Sequence, residues 1–301
     1  MDVVVFGAGS LGSLVGGLLA REHDVTLVGR QPHVDAVTGS GLTVTGAVEA
    51  AVRPAATVDG EGLAADLAVV TVKAFDTAAA AEALATGEYR AVLSLQNGLG
   101  NEETLAGALA CPVLAGTATY GAMLERPGVV RCTGVGEVTL GVRKGGRSEL
   151  AAEVGAAFDA AGLRTSVVED MPRRLWSKLA VNAGINGVTA LARVENGAVL
   201  AGEANAVARE AAEETARVAG AAGVDLPADE AVAAVEAVAE ATAANTSSTL
   251  QDVEAGRRTE VDALNGAVVE RGERHGVATP VNRTIAGLLR AWERGRGLRE
   301  A

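Results

Sequence analysis

Aromatic side chains are almost missing from this chain: two tryptophans, two tyrosines and three phenylalanines make up 2% of its 301 residues. Any core must therefore be filled by Ala, Val and Leu from the 49% apolar fraction, which suits packed helices and strands buried on both faces. Lysine is scarcer still, standing only at 73, 144 and 178 among 26 basic residues. Acids number 38, for a net charge of −12. With no basic stripe to displace counterions from phosphates, nucleic acid is excluded as a partner. An acidic, lysine-poor, alanine-rich composition instead suits a salty cytoplasm, where surface carboxylates keep a protein hydrated.

Cysteine and histidine are equally thin. Cys111 and Cys132 form no CxxC pair, and His23, His33 and His275 are scattered. A disulfide framework and a metal site are therefore set aside, and free thiols in a reducing cytosol are expected. The start, MDVVVFGAGS, has no basic region ahead of its apolar run and does not read as a secretory signal. Residues 104–124 carry no charge over a length that could cross a bilayer, but Pro112 and several glycines interrupt them. That predicts a helix end, a strand and a loop, so the expectation is a cytoplasmic protein with no membrane partner.

The length allows two domains of ordinary size. Residues 2–6, DVVVF, read as a strand, GAGSLG as a glycine turn, and SLVGGLLAREH as a helix. DVTLVGR is a second strand ending at Gly29-Arg30; LAVVTV (67–72), AVLSL (91–95) and CPVLAGTATY (111–120) are further strands, with a helix-like AFDTAAAAEALA between the first two of these. This alternation predicts a parallel sheet covered on both faces. Residues 128–142 alternate around glycines like a hairpin or edge strands, where the sheet is expected to end. A helix over 149–161 and the strand-like RTSVVED follow. Beyond Pro172 only amphipathic segments appear, at 172–192, 203–222, 227–254, 257–276 and 280–294. The fold class is α/β: a Rossmann-type parallel-sheet domain over 1–168, then an all-helical domain over 169–301.

Gly7-Ala8-Gly9-Ser10-Leu11-Gly12 fits GxGxxG between a strand and a helix, the pattern that brings a dinucleotide diphosphate to a helix N-terminus. Where an acid at the end of the second strand would favour NAD, this chain has Arg30, which suits the 2′-phosphate of NADP; otherwise it is an ordinary surface arginine. Lys73 and the run Gln96-Asn97-Gly98-Leu99-Gly100 follow strands whose carboxyl ends form the ligand edge of open α/β sheets, though QNGLG is equally a plain turn. In RLWSKLAVNAGINGVTA, Lys178, Asn182 and Asn186 are spaced i, i+4, i+8 and share one helix face. An amine and two carboxamides among apolar neighbours need protein partners or a ligand, since burying them unpaired costs a few kcal/mol each. A snorkelling lysine beside two packing asparagines is the plainer alternative. NTSSTLQD (245–252) reads as a polar helix face or an N-cap cluster, and TEVD (259–262) as the start of a capping box.

Taken in order, GAGSLG, the Lys73 strand end, QNGLG, GTATYGA, GVGEVTLG, LWSKLAVNAGINGVTAL, NTSSTLQD and RTEVDALNG resemble the ketopantoate reductases (2-dehydropantoate 2-reductases) over nearly the whole chain. The resemblance implies an N-terminal Rossmann domain, a helical C-terminal domain, an active site in the cleft between them, and reduction of 2-dehydropantoate to (R)-pantoate with NADPH, towards pantothenate and coenzyme A. Carried over by position, Gly7, Ala8, Gly9, Ser10, Leu11 and Gly12 would hold the diphosphate, Lys73, Asn97 and Ala122 would contact the cofactor, and Glu260 would lie near the nicotinamide ribose and the lysine. Lys178 would be the proton donor. Asn97, Lys178, Asn182, Asn186, Asn196, Ser248, Thr249, Leu250 and Gln251 would bind the substrate.

The chain departs from the family pattern at Gln96, where many relatives carry histidine, and at Gly187, where proline is frequent. Two other functions stay open: a reductase of another branched 2-oxo acid, and a non-catalytic NADP-sensing protein. NADH is the less expected cofactor. The alanine-rich segments 203–222 and 227–254 offer either a homodimer interface or the domain's own core.

Overall fold

The computed structural model describes residues 1–300, which divide into two compact units, one of residues 1–96 and 101–171, the other of residues 97–100 and 172–300. The sequence sets its boundary at 168. In the structure the changeover falls between Met171 and Pro172, and the four residues 97–100 join the second unit.

In chain order the first unit contains β1 (Asp2–Phe6), α1 (Ser10–Leu19), β2 (Asp24–Val28), α2 (Gln31–Ser40), β3 (Leu42–Gly46), β4 (Ala50–Val52), β5 (Ala55–Thr57), β6 (Ala64–Val70), α3 (Thr77–Leu84), β7 (Glu88–Ser94), α4 (Asn101–Ala108), β8 (Val113–Ala118), β9 (Gly121–Arg126), β10 (Val129–Gly134), β11 (Val138–Val142), α5 (Glu149–Ala160) and β12 (Thr165–Val168). Eight strands form the main sheet in the order β12-β11-β8-β7-β6-β1-β2-β5. The six from β8 to β5 are parallel, and β11 joins β8 antiparallel. Numbered along the chain, the parallel block runs 3-2-1-4-5-6, the Rossmann order, with its switch point between β1 and β6.

Both faces of the central strands are buried, so the later residues of β1, β6 and β7 are buried at successive positions rather than at alternate ones. Val3, Val5, Val25, Leu27, Leu67, Val69 and Leu93 pack in one cluster with α1 and α5, while Val4, Phe6, Val28, Ala68, Val70 and Val92 pack in another with α3 and Leu105 of α4. Each fully buried Val or Leu contributes about 1.5–3 kcal/mol, and numbers of such small side chains make up for the scarcity of aromatics.

Two features were not legible in the sequence. The hairpin of residues 128–142 does not end the main sheet: β11 extends it and β12 adds a further strand beside β11. The strands β9 and β10 instead join β3 and β4 in a separate four-stranded sheet ordered β4-β3-β10-β9. Helix α1 lies between the two sheets, and its glycines permit this: a Cβ on Gly16 would meet Leu27 and Val5, one on Gly17 would meet Val44 and Leu42.

The second unit contains α6 (Met171–Ala192), α7 (Gly202–Ala221), α8 (Ala228–Ala241), α9 (Ser248–Glu254), α10 (Asn265–His275) and α11 (Pro280–Gly295), the first residue of α6 being counted with the first unit. Its core is a single cluster of Ala, Val, Leu and Ile around Trp176. The expected helix over 227–254 is two helices, because Ser247 caps α9 with its hydroxyl accepting from the Leu250 amide at 3.2 Å, and an N-cap residue leaves helical geometry. The expected helix over 257–276 begins only at Asn265; TEVD is a turn in which the Glu260 carbonyl accepts from Ala263 and Leu264. Among the described residues no helix is long and apolar enough to cross a membrane.

Candidate functional site

In the first unit, the chain leaves β1 at Gly7 with φ of +107°, a conformation that side chains rarely adopt. A Cβ at Gly7 would stand 2.6 Å from the Val72 amide nitrogen, just past β6. One at Gly12 would run into the Gly7 carbonyl and Thr71 Oγ1, whose hydroxyl donates to that carbonyl at 2.9 Å. Gly9 differs from both: it is exposed at the N-cap of α1, with only the Gly7 carbonyl, at 3.9 Å, near an added Cβ. Two of the glycines are thus demanded by the protein's own packing, and the middle one leaves open space at a helix N-terminus. No acid occupies the first turn of α1. An open glycine cradle at a sheet's switch point, facing unopposed amide dipoles, fits the diphosphate of a dinucleotide.

Of the other residues predicted for the nucleotide, Arg30, Lys73 and Ala122 belong to this unit, while Asn97 and Glu260 belong to the second. Ser10 accepts from the Leu124 amide at 3.0 Å, tying the loop to β9, the strand that carries the half-buried Ala122. Lys73 follows β6 and precedes a short 3-10 turn, Ala74–Asp76. Arg30 is exposed at the N-cap of α2, and residues 29–34 include no acid. The first carboxylate beyond it, Asp35, is held by Gln31 Nε2 at 2.6 Å. Gln96 is buried: its amide nitrogen donates to Thr77 Oγ1 at 2.7 Å and to the Val72 carbonyl at 3.0 Å, joining the ends of β6 and β7.

His33 is a residue whose position the sequence did not signal. It is buried on α2, with Nε2 3.1 Å from Ser13 Oγ on α1, while the Gly128 amide, between β9 and β10, donates to Nδ1 at 3.2 Å. The imidazole therefore carries its proton on Nε2, and burial pushes its pKa below the ordinary histidine value.

In the second unit, α6 holds Lys178 and Asn182 half-buried and Asn186 buried, each one turn beyond the last. Asn186 Nδ2 donates to Ser248 Oγ at 3.4 Å, and Thr189 Oγ1 lies 2.8 Å from Ser247 Oγ, so the start of α9 is fastened along α6. Asn97 Nδ2 donates to Glu260 Oε2 at 3.2 Å, drawing QNGLG to the TEVD turn. The remaining predicted residues serve elsewhere in the unit. Asn196 is buried and gives its Nδ2 to Thr242 Oγ1 at 3.0 Å, Gln251 gives its Nε2 to the Thr246 carbonyl at 2.9 Å, Thr249 is buried, and Leu250 belongs to the core cluster.

A second set of groups stabilises α6 from behind. Asn265 Nδ2 donates to the Ala183 carbonyl at 3.1 Å and to Asn282 Oδ1 at 2.9 Å. Asn282 Nδ2 donates in turn to the fully buried Glu214, whose carboxylate also accepts from the Val281 and Asn282 amides at the start of α11. A carboxylate so placed is stabilised by the helix N-terminus and leaves no buried amide unpaired. One glutamate among several on an alanine-rich helix, Glu214 gave no sign of this in the sequence, because its partners lie 67 and 68 positions away at the start of α11.

Residues 3–145 match the family described as ketopantoate reductase PanE/ApbA, and residues 170–293 match its C-terminal part, ketopantoate reductase PanE/ApbA C terminal. A protein of Halobacterium salinarum named 2-dehydropantoate 2-reductase is 46% identical, over 98% of this chain and 99% of its own. The crystal structure of a PanE/ApbA family ketopantoate reductase from Ralstonia eutropha JMP134 superposes with a TM-score of 0.91 at 35% identity, covering 99% of this chain and 100% of that one. A D-mandelate dehydrogenase with bound NADH and anilino(oxo)acetate superposes with a TM-score of 0.92 at 25% identity, again over 99% and 100% of the two chains. This chain therefore belongs to the ketopantoate reductase PanE/ApbA family.

Proposed function

We propose that this protein is an NADPH-dependent 2-dehydropantoate 2-reductase, reducing ketopantoate to (R)-pantoate on the way to pantothenate and coenzyme A. The observation that carries the reading is the α6 strip of Lys178, Asn182 and Asn186: one cation and two carboxamides rising along a single helix, with the last fastened to Ser248. A ketone next to a carboxylate needs such a set, with a proton donor for the carbonyl oxygen and neutral donors for the acid.

The GAGSLG cradle and α1 would hold the diphosphate, Arg30 the 2′-phosphate, and Lys73, Asn97, Ala122 and Glu260 the nicotinamide half. When bound, the cofactor supplies the hydride that adds to the carbonyl carbon. Lys178 donates a proton to the carbonyl oxygen as negative charge builds there, and solvent restores that proton afterwards. Asn182, Asn186 and Ser248 orient the carboxylate and hydroxyl, so that one face of the ketone is presented. Free Cys111 and Cys132 accord with work in the cytoplasm.

The test is the initial rate of NADPH and NADH oxidation with ketopantoate, in low and high salt, beside a small panel of other 2-oxo acids. Ketopantoate with NADPH is expected to give the highest kcat/KM. A higher value with an aryl or another branched 2-oxo acid would favour a second reading, supported by the likeness to D-mandelate dehydrogenase: the strip serves any 2-oxo carboxylate. No oxidation with any acid would point to a nucleotide sensor.

A further inference from the structure

An ionic cluster built on the buried Glu293 and the partly exposed Asp262, Arg290 and Arg299 holds the turn that carries Glu260. Glu293, on α11, is fully buried, and its Oε1 accepts from both the amide and the hydroxyl of Thr259, at 2.8 and 2.6 Å. Its Oε2 accepts from Arg299 Nε at 2.8 Å. The other arm of that guanidinium pairs with Asp262, which also accepts from Arg290 Nε at 2.9 Å. Both flanks of Glu260 are thus gripped. Thr259 is held through main chain and side chain by Glu293, and Asp262 is held by two arginines. The Thr259 hydroxyl oxygen then accepts from the Val261 amide at 3.3 Å, closing the turn around Glu260.

Burying the Glu293 carboxylate without partners would be costly, and truncating Arg299 would leave it without its cation. Burial works against Asp262 ionising, yet the hydrogen bonds from Arg299 and Arg290 outweigh it and hold its carboxyl below the usual range. Burial likewise works against the Arg299 charge, which Asp262 and Glu293 restore. A turn in a helical unit needs no four-membered ionic brace merely to reverse direction. This brace holds Thr259 and Asp262 on either side of the one residue in the turn that the proposed function uses, Glu260, whose carboxylate accepts from Asn97.

We infer that Arg299 and Glu293 act as positioning residues for Glu260, holding its turn so that the carboxylate meets Asn97 and the nicotinamide half of the cofactor. The inference rests on the role proposed for Glu260. Neither Arg299 nor Glu293 touches substrate; each acts through Thr259 and Asp262.

A double-mutant cycle between Arg299→Met and Glu260→Gln tests this in the full-length enzyme, read by kcat, KM and the dissociation constant of NADPH from fluorescence titration. Arg299→Met is expected to lower kcat/KM and weaken NADPH binding by about tenfold in the native background, but by less than about twofold in Glu260→Gln, the coupling expected of residues in one network. Arg299→Lys, which keeps the charge and loses the two-armed geometry, should recover part of the loss. Exchange of the Thr259 amide hydrogen in the cofactor-free protein should quicken in Arg299→Met. Should that variant not fold, Glu293→Gln keeps both the volume and the acceptor for Thr259, and carries the same cycle. Equal losses in both backgrounds would overturn the positioning role while leaving Glu260 its own. A Glu260→Gln enzyme with unchanged kinetics and NADPH affinity would overturn the role of Glu260 and the inference with it.

Discussion

Asn97 Nδ2 donates to Glu260 Oε2 at 3.2 Å across 163 positions of sequence. The backbone joins the two segments as well: the Leu99 amide donates to the Ala263 carbonyl at 3.2 Å, and Gly98, with φ of +87°, leaves no room for a Cβ against Ala263. Replacing Asn97 by Asp sets one carboxylate against another where a neutral donor stood. We expect kcat/KM for ketopantoate to fall by at least about tenfold, since the contact proposed for Asn97 and the geometry of its pair with Glu260 would be lost together. Steady-state kinetics check this, and an unchanged value would mean that the pair is only a fold contact.

Lys178→Ala removes the proposed proton donor from α6. Turnover should fall by about 10²- to 10⁴-fold, the usual worth of a placed general acid, with the NADPH dissociation constant nearly unchanged. Parallel loss of both would identify a structural lysine. Single-turnover rates and fluorescence titration separate the two outcomes.

Arg30→Asp reverses the charge beside the predicted 2′-phosphate position. The ratio of kcat/KM for NADPH over NADH should drop by roughly tenfold or more, the scale of a lost charge-assisted bond with repulsion added. The ratio is measured with both cofactors under one set of conditions. If it does not move, Arg30 does not read the phosphate.

His33 makes a pH-dependent contribution whose sign follows from its environment. Its folded pKa is lowered by burial, and Nδ1 must accept from the Gly128 amide. The unfolded chain therefore binds the proton more readily. The contribution is fully present above the ordinary histidine value of about 6.5 and is lost as pH falls through the lower folded value. Thermal unfolding midpoints between pH 8 and 5 should fall more steeply for the native protein than for His33→Gln. Identical slopes would assign that pH dependence to other groups.

Much of this protein is written locally. The strand, glycine turn and helix at 2–19 need only short-range signals: a β-branched run, glycines where a Cβ would collide, and apolar spacing on the helix. The α6 strip is equally local, because helical periodicity alone puts Lys178, Asn182 and Asn186 on one face. By contrast, the sequence did not reveal that β9 and β10 leave the main sheet for β3 and β4, since period-two patterning says that a strand has a buried face and not which sheet buries it. The break between α8 and α9 was missed for a similar reason: alanine favours helix on both sides, and the cap at Ser247 decides only once Thr189 and Leu250 are in place.

Residue order alone settles the identity and spacing of the chemical groups: the glycine cradle, the arginine after β2, and the lysine with its two asparagines. Which distant side chains meet is settled by packing. Asn97 with Glu260, His33 with Gly128, Glu214 with the start of α11, and Arg299 with Asp262 and Glu293 are pairs that no periodicity announces. The physical reason is that a buried polar group must find its partner wherever packing brings one within about 3 Å, and packing is a property of the whole chain.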